Sequence, residues 1–78
     1  MKLSKMLGNA RELFGGVDKG LRDIREELAK TDKDSDPAKY THLVLQESIL
    51  VGIWYALIKV KDEIQQLIAL YGEEHEIP

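Results

Sequence analysis

With 78 residues, a net charge of −3 and no cysteine, the chain makes one small domain without a disulfide and without the commonest ligand of structural zinc. Charged residues make up 32% of it and hydrophobic ones 44%, a balance that excludes both a disordered acidic tail and a basic nucleic-acid module. A core of this size supplies about 3–5 kcal/mol at most, which leaves a partner chain as the remaining stabilising device.

The first element is a helix over about residues 2–30. Its apolar residues fall at Leu7, Ala10, Phe14, Val17, Leu21, Ile24 and Leu28, in the alternating 3,4 spacing of a coiled-coil seam, with Leu3 one turn earlier. The phase is unbroken across Gly15-Gly16, so one continuous helix is expected, with a break at these glycines as the alternative. Each glycine weakens a helix interior by about 1 kcal/mol relative to alanine. Lys2, Lys5 and Arg11 stand against Glu12 in residues 1–14, a surplus of +2. Those charges beside Leu3, Met6, Leu7, Leu13 and Phe14 also fit a helix lying on a membrane surface, weighed here behind a helix end buried in its own fold. Gly8, Asn9, Arg11 and Glu12 interrupt any apolar core a secretory leader would need.

Residues 31–36 (TDKDSD) are turn chemistry, and Asp36-Pro37 reads as an N-cap followed by proline at the first helical position. A second helix then runs over about 37–71, closed by Gly72, with residues 72–78 expected to be a frayed tail. Two long helices joined by a short polar loop make an all-α, antiparallel helical hairpin. Pairing positions that sum to about 67 places Phe14 to Gly16 opposite Gly52 to Trp54. In that register Gly15, Gly16 and Gly52 make room for the Trp54 indole, and Lys2 and Lys5 lie beside Asp62 and Glu63.

The second helix carries more apolar surface than one neighbour can cover. One stripe runs through Leu43, Leu50, Trp54, Leu57, Ile64, Ile68 and Tyr71, a second through Ile49, Ile53, Val60 and Leu67, and Val44, Val51, Tyr55 and Ile58 add a third side. A short helix that is apolar all round must be buried all round. The expected solution is two hairpins packed into a homodimeric four-helix bundle with the second helices central. Leu43, Leu50, Val51, Ile53, Trp54, Leu57 and Ile58 are its candidate interface residues. The longest unbroken apolar run, Ile49 to Ile58, is 10 residues, whereas a membrane span needs about 20, so a soluble, cytoplasmic protein is expected.

Glu47 lies on the first stripe, with Leu43, Leu50 and Trp54, flanked by Gln46 and Ser48. It reads first as an interfacial ion pair with Arg22, Arg25 or His42, and second as a catalytic or ligand-binding carboxylate in the bundle centre. Metal-binding carboxylate bundles use Glu-x-x-His or Glu-x-x-Glu pairs on inward faces, and only Glu73-x-x-Glu76 has that spacing here, beyond the end of the helix. Asp23-x-x-Glu26 flanks the first seam. Ser4, Ser35, Ser48, His42 and His75 make no nucleophilic arrangement, and Gly15-Gly16 and Gly20 lack the strand that precedes a phosphate-binding loop. Acidic residues alternate with the basic ones (Asp18-Lys19, Arg22-Asp23), which cancels the field that nucleic-acid binding requires. Trp54-Tyr55, Tyr40 and Tyr71 read as core or interface anchors ahead of a ligand pocket. The expected function is therefore a non-enzymatic interaction, scaffolding or regulatory protein that acts as a homo-oligomer with a protein partner, without metal or cofactor. A small helical-bundle enzyme or metal-binding protein centred on Glu47 is the alternative.

Overall fold

The computed structural model describes residues 1–78. Helix α1 spans Leu3–Lys30 and helix α2 spans Pro37–Tyr71, packed side by side as an all-helical hairpin of 55 × 18 × 14 Å. Helix α1 continues unbroken through Gly15-Gly16, because its seam has a single phase and α2 supports it on both sides of the glycines. The loop is closed by its own short side chains. Asp32 accepts from the Asp34 amide at 2.9 Å and from the Ser35 hydroxyl at 2.8 Å, and the Asp36 carboxylate accepts from the Lys39 amide at 3.2 Å to start α2. The hydrogen bonds from the Asp34 amide and the Ser35 hydroxyl hold the Asp32 carboxyl below its ordinary range.

The core is one layer between two helices. Leu3, Ala10 and Leu21 of α1 and Leu43 and Ile64 of α2 are buried, while Leu7, Phe14, Val17, Ile24 and Leu28 of the same seam are half-buried. Phe14 meets Trp54 with ring centroids 5.5 Å apart, Leu50 lies against Gly20, and Arg25 reaches Glu47. Facing positions therefore sum to about 70 rather than 67, a slip of less than one turn.

Helical phase corrects the expected role of the glycines: Gly15, Gly16 and Gly52 are exposed, off the seam that Phe14 and Trp54 share. A Cβ placed on Gly15, Gly16 or Gly52 would meet nothing within 4 Å, so none of the three makes room for Trp54. The indole packs instead on the Phe14 ring and, edge to face, on Tyr55 at 5.1 Å. Only Gly20 has a close neighbour, the Leu50 Cδ1 at 3.5 Å from where a Cβ would sit.

The C-terminal tail, expected to fray, is tied to the start of α1. Gly72 turns the chain with φ +90°, and its amide donates to the Ile68 carbonyl at 2.8 Å. The tail then runs back beside the N-terminus, with Lys2 and Glu76 forming an antiparallel bridge. No side chain caps α1, and the first amides of a helix have no partner within it. Here the tail supplies the acceptors: Leu3 donates to the His75 carbonyl and Ser4 to the Glu73 carbonyl, both at 3.0 Å. The closure makes Leu3 the most fully buried residue of the chain. Lys2 pairs with Glu74 at 2.7 Å rather than with Asp62 or Glu63, and that hydrogen bond and charge raise its pKa.

Candidate functional site

The two helices differ most in what they leave uncovered. Helix α1 is strongly amphipathic, so one neighbour satisfies it; α2 has almost no amphipathic bias, so α1 covers only a strip of it. Of the candidate interface residues, Leu43 is buried inside the hairpin, and Leu50, Trp54 and Leu57 lie half-buried on the strip facing α1. Val51 and Ile58 are half-buried on one flank of α2, beside Tyr55. Ile53 is on the other flank, 42% exposed, one turn from Ile49 at 64%. The candidate residues thus belong to three sides of one helix, and only the two flanks remain uncovered.

The flanks are chemically unlike. Beside Val51 and Tyr55, α1 contributes Asp18 and Arg25 to a shallow hollow of about 220 Å³. That side is ionic: Arg22 pairs with Asp18 at 3.3 Å, and the Arg25 Nε donates to Glu47 at 3.2 Å. Glu47 is 31% exposed and partnered, so the structure places it in an ion pair at the rim of the seam. His42 lies 3.1 Å from Gln46 instead, and Arg22 serves Asp18. No three acidic or histidine side chains converge as a metal site would require.

On the other flank an open groove of about 620 Å³ runs between the helices, lined by Asn9, Glu12, Leu13, Gly16 and Val17 of α1 and by Leu50 of α2. A smaller hollow of about 290 Å³ continues it past Ile24, Gln46 and Ile49. Leu13, Val17 and Leu50 form the apolar wall of the larger groove, Gly16 part of its floor, and Asn9 and Glu12 its polar rim. Leu13, 62% exposed, escapes a reading by periodicity because it stands outside the α1 seam, and Leu45 and Leu70 are exposed on α2 for the same reason. The signal in the sequence was the adjacency of Leu13 to Phe14, an apolar residue one step off phase.

Helix α2 also contains an 18-residue stretch long and apolar enough to cross a membrane, almost none of it buried within the chain. The 10-residue run read from the sequence understates this, because Gln46, Glu47 and Ser48 interrupt an apolar segment without ending it. No family model matches the chain, and no curated protein or solved structure matches it either.

Proposed function

We propose that this protein is a non-enzymatic helical interaction module that works as a homodimer and offers its outer surface to a protein partner. One observation carries the reading: the middle of α2 displays large apolar side chains, Ile49, Ile53, Tyr55 and Val60 among them, that the hairpin itself does not cover. The exposed surface is 5683 Å², whereas a compact monomer of 8.9 kDa exposes about 4,800 Å². The radius of gyration is 17.2 Å, against about 11.5 Å for a compact chain of this length. A second hairpin laid alongside removes the excess, and the solvated outer residues of α1, such as Lys19, Asp23 and Glu26, stay free for a partner.

Helix α2 fits a membrane span by length and composition, and this is the second reading. Insertion would strip α1 away, undo the Arg25–Glu47 pair and place a carboxylate in hydrocarbon. Attachment through residues 2–14 would have to release Leu3, which the tail covers completely. The enzyme reading would need Glu47 to be unpartnered or to converge with other ligands. Light scattering across a concentration series tests the proposal: a mass of twice 8.9 kDa that holds to low micromolar supports it. A mass of one chain overturns it, and co-sedimentation of that monomer with lipid vesicles would favour the membrane reading. A thermal melt that rises with divalent metal, and no longer does so in Glu47→Gln, would favour the metal-binding reading.

A further inference from the structure

We infer that the second copy docks on the glycine-floored flank, and that the two hairpins meet antiparallel about a two-fold axis crossing α2 between Ile53 and Ala56. This inference rests on the homodimer reading and adds the face and the orientation.

The choice of face follows from charge and burial. Closing the Val51–Tyr55 flank would desolvate Asp18, Arg22 and Arg25, each engaged in an ion pair on that side. Burying such pairs gains little and often opposes association. The opposite flank has no ion pair along its middle; the Glu27–Lys39 pair at 3.7 Å lies at its loop end, with both side chains half exposed. Ile49, Ile53, Ala56 and Val60 stand along the flank in 4,3,4 spacing, all exposed, which is a second heptad seam without an occupant. Beside this seam, α1 presents Leu13, Gly16 and Gly20, with the groove of about 620 Å³ between.

The orientation follows from the register. Antiparallel α2 helices centred between Ile53 and Ala56 bring Ile53 of one copy against Ala56 of the other, and Ile49 against Val60. The α1 residues at the same level of the rod are Phe14 and Gly15, since Phe14 is opposite Trp54. The same axis therefore brings the exposed Leu13 of one copy over Gly16 of the other. Ile53 then meets the small Ala56 and Leu13 a glycine, as knobs meet holes in a bundle core, while Ile49 and Val60 pack as an apolar pair. The area also fits. The excess over a compact monomer is about 900 Å², and a stable interface buries about 800 Å² on each partner.

The wild-type mass is measured first, then that of Ile53→Lys and Leu13→Lys on the proposed face and Tyr55→Lys on the opposite one, with helicity followed by circular dichroism. All three side chains are exposed in the hairpin, so the fold tolerates the substitutions. The expected result is a dimeric wild type and a dimeric Tyr55→Lys. Ile53→Lys and Leu13→Lys remain helical, with dissociation constants raised at least about thirtyfold, as for loss of one central anchor. A dimer that survives both face substitutions and falls apart in Tyr55→Lys overturns the choice of face and leaves the homodimer standing. A dimer that ignores Leu13→Lys alone removes α1 from the interface and overturns the two-helix face. A monomeric wild type overturns the homodimer itself. Because the chain has no cysteine, disulfide trapping then tests the orientation. Ile49→Cys combined with Val60→Cys should cross-link two chains and neither single variant should, because identical positions would lie about 16 Å apart along the helices. Efficient linking of Ile49→Cys to itself overturns the antiparallel arrangement, and this result holds even if a lysine variant fails to fold.

Discussion

Helices α1 and α2 touch along the same seam, yet they make different demands on their surroundings. Helix α1 concentrates its apolar residues on one line and turns Glu12, Lys19, Asp23 and Glu26 to water. Helix α2 gives α1 an equal line and then repeats apolar residues on both flanks, where Ile49, Ile53, Tyr55 and Val60 remain exposed. A helix with one stripe is complete in a hairpin, and a helix with three is not. The amount of apolar residue says little here about the monomer fold. Its distribution around each helix says which element is finished and which needs a neighbour.

The largest expected effect comes from the residue that serves both roles. Trp54 packs on Phe14 across the seam and borders the apolar middle of α2. Trp54→Glu removes that contact and puts a carboxylate beside the core. Loss of a large aromatic alone destabilises by about 3–5 kcal/mol, comparable to the whole stability of so small a domain. The variant should lose most of its helicity at 25 °C by circular dichroism, as well as its association. Retention of both would mean that neither the seam nor the flanks depend on the middle of α2.

Next in size is a direct contrast between covered and uncovered leucine-like positions. Leu21→Ala opens the buried seam and should destabilise by about 2–5 kcal/mol in a urea titration, because surrounding side chains relax only partly into the cavity. Ile49→Ala, made in the background of Ile53→Lys so that only the hairpin is measured, should change stability by less than about 0.5 kcal/mol. Equal effects would erase the distinction between the two sides of α2. Both comparisons need one fixed chain concentration, since association adds to apparent stability.

The parts of the fold written in local chemistry were legible in the sequence. The unbroken seam from Leu7 to Leu28 gave a continuous α1, Asp36-Pro37 the start of α2, and Gly72 its end. The roles of Gly15, Gly16 and Gly52 were misread although the spacing held the answer: they stand off the phase of Phe14 and Val17 and of Leu50 and Trp54, so they face water. The tail was misread for a different reason. EEHEIP has no periodicity and no apolar run, and it is ordered through backbone carbonyls that every sequence possesses. The Glu47 partner could be narrowed to three candidates from charge alone, but only the register selects Arg25 over Arg22 and His42. The groove beside Leu13 was hidden because it belongs to two helices at once.

Two glycine substitutions should move stability in opposite directions. Gly72 has φ +90° and ψ 158°, a region other residues enter at about 1–3 kcal/mol. Gly72→Ala should therefore lower the melting temperature and release the tail, with faster amide exchange at Leu3 and Ser4 as the local signature. Gly15 is helical, and an added Cβ meets nothing. Gly15→Ala should stabilise by about 0.5–1 kcal/mol, a rise of several degrees in Tm for a domain of this size. A fall in Tm for Gly15→Ala would show that this side of α1 is occupied in the assembled protein.

The smallest effect is the pH dependence of the tail and the loop. Lys2 is raised above its ordinary 10.5 by the hydrogen bond and charge of Glu74, so the folded state holds that proton more tightly than the unfolded chain. Its contribution is complete below pH 10.5 and disappears as pH rises through the higher folded value. Asp32 is shifted the other way by the Asp34 amide and the Ser35 hydroxyl. Its contribution is complete above its ordinary 3.8 and disappears as pH falls through the lower folded value. Both side chains are exposed, so salt should shrink the alkaline step, which depends on an exposed ion pair, more than the acidic one, which depends on short local hydrogen bonds. Thermal melts of the wild type and Glu74→Gln should therefore diverge slightly at neutral pH and converge above pH 10.5. A difference that persists at high pH would show that Glu74 holds the tail through something other than the Lys2 ammonium, and the backbone bridge at Glu76 would then bear most of the closure.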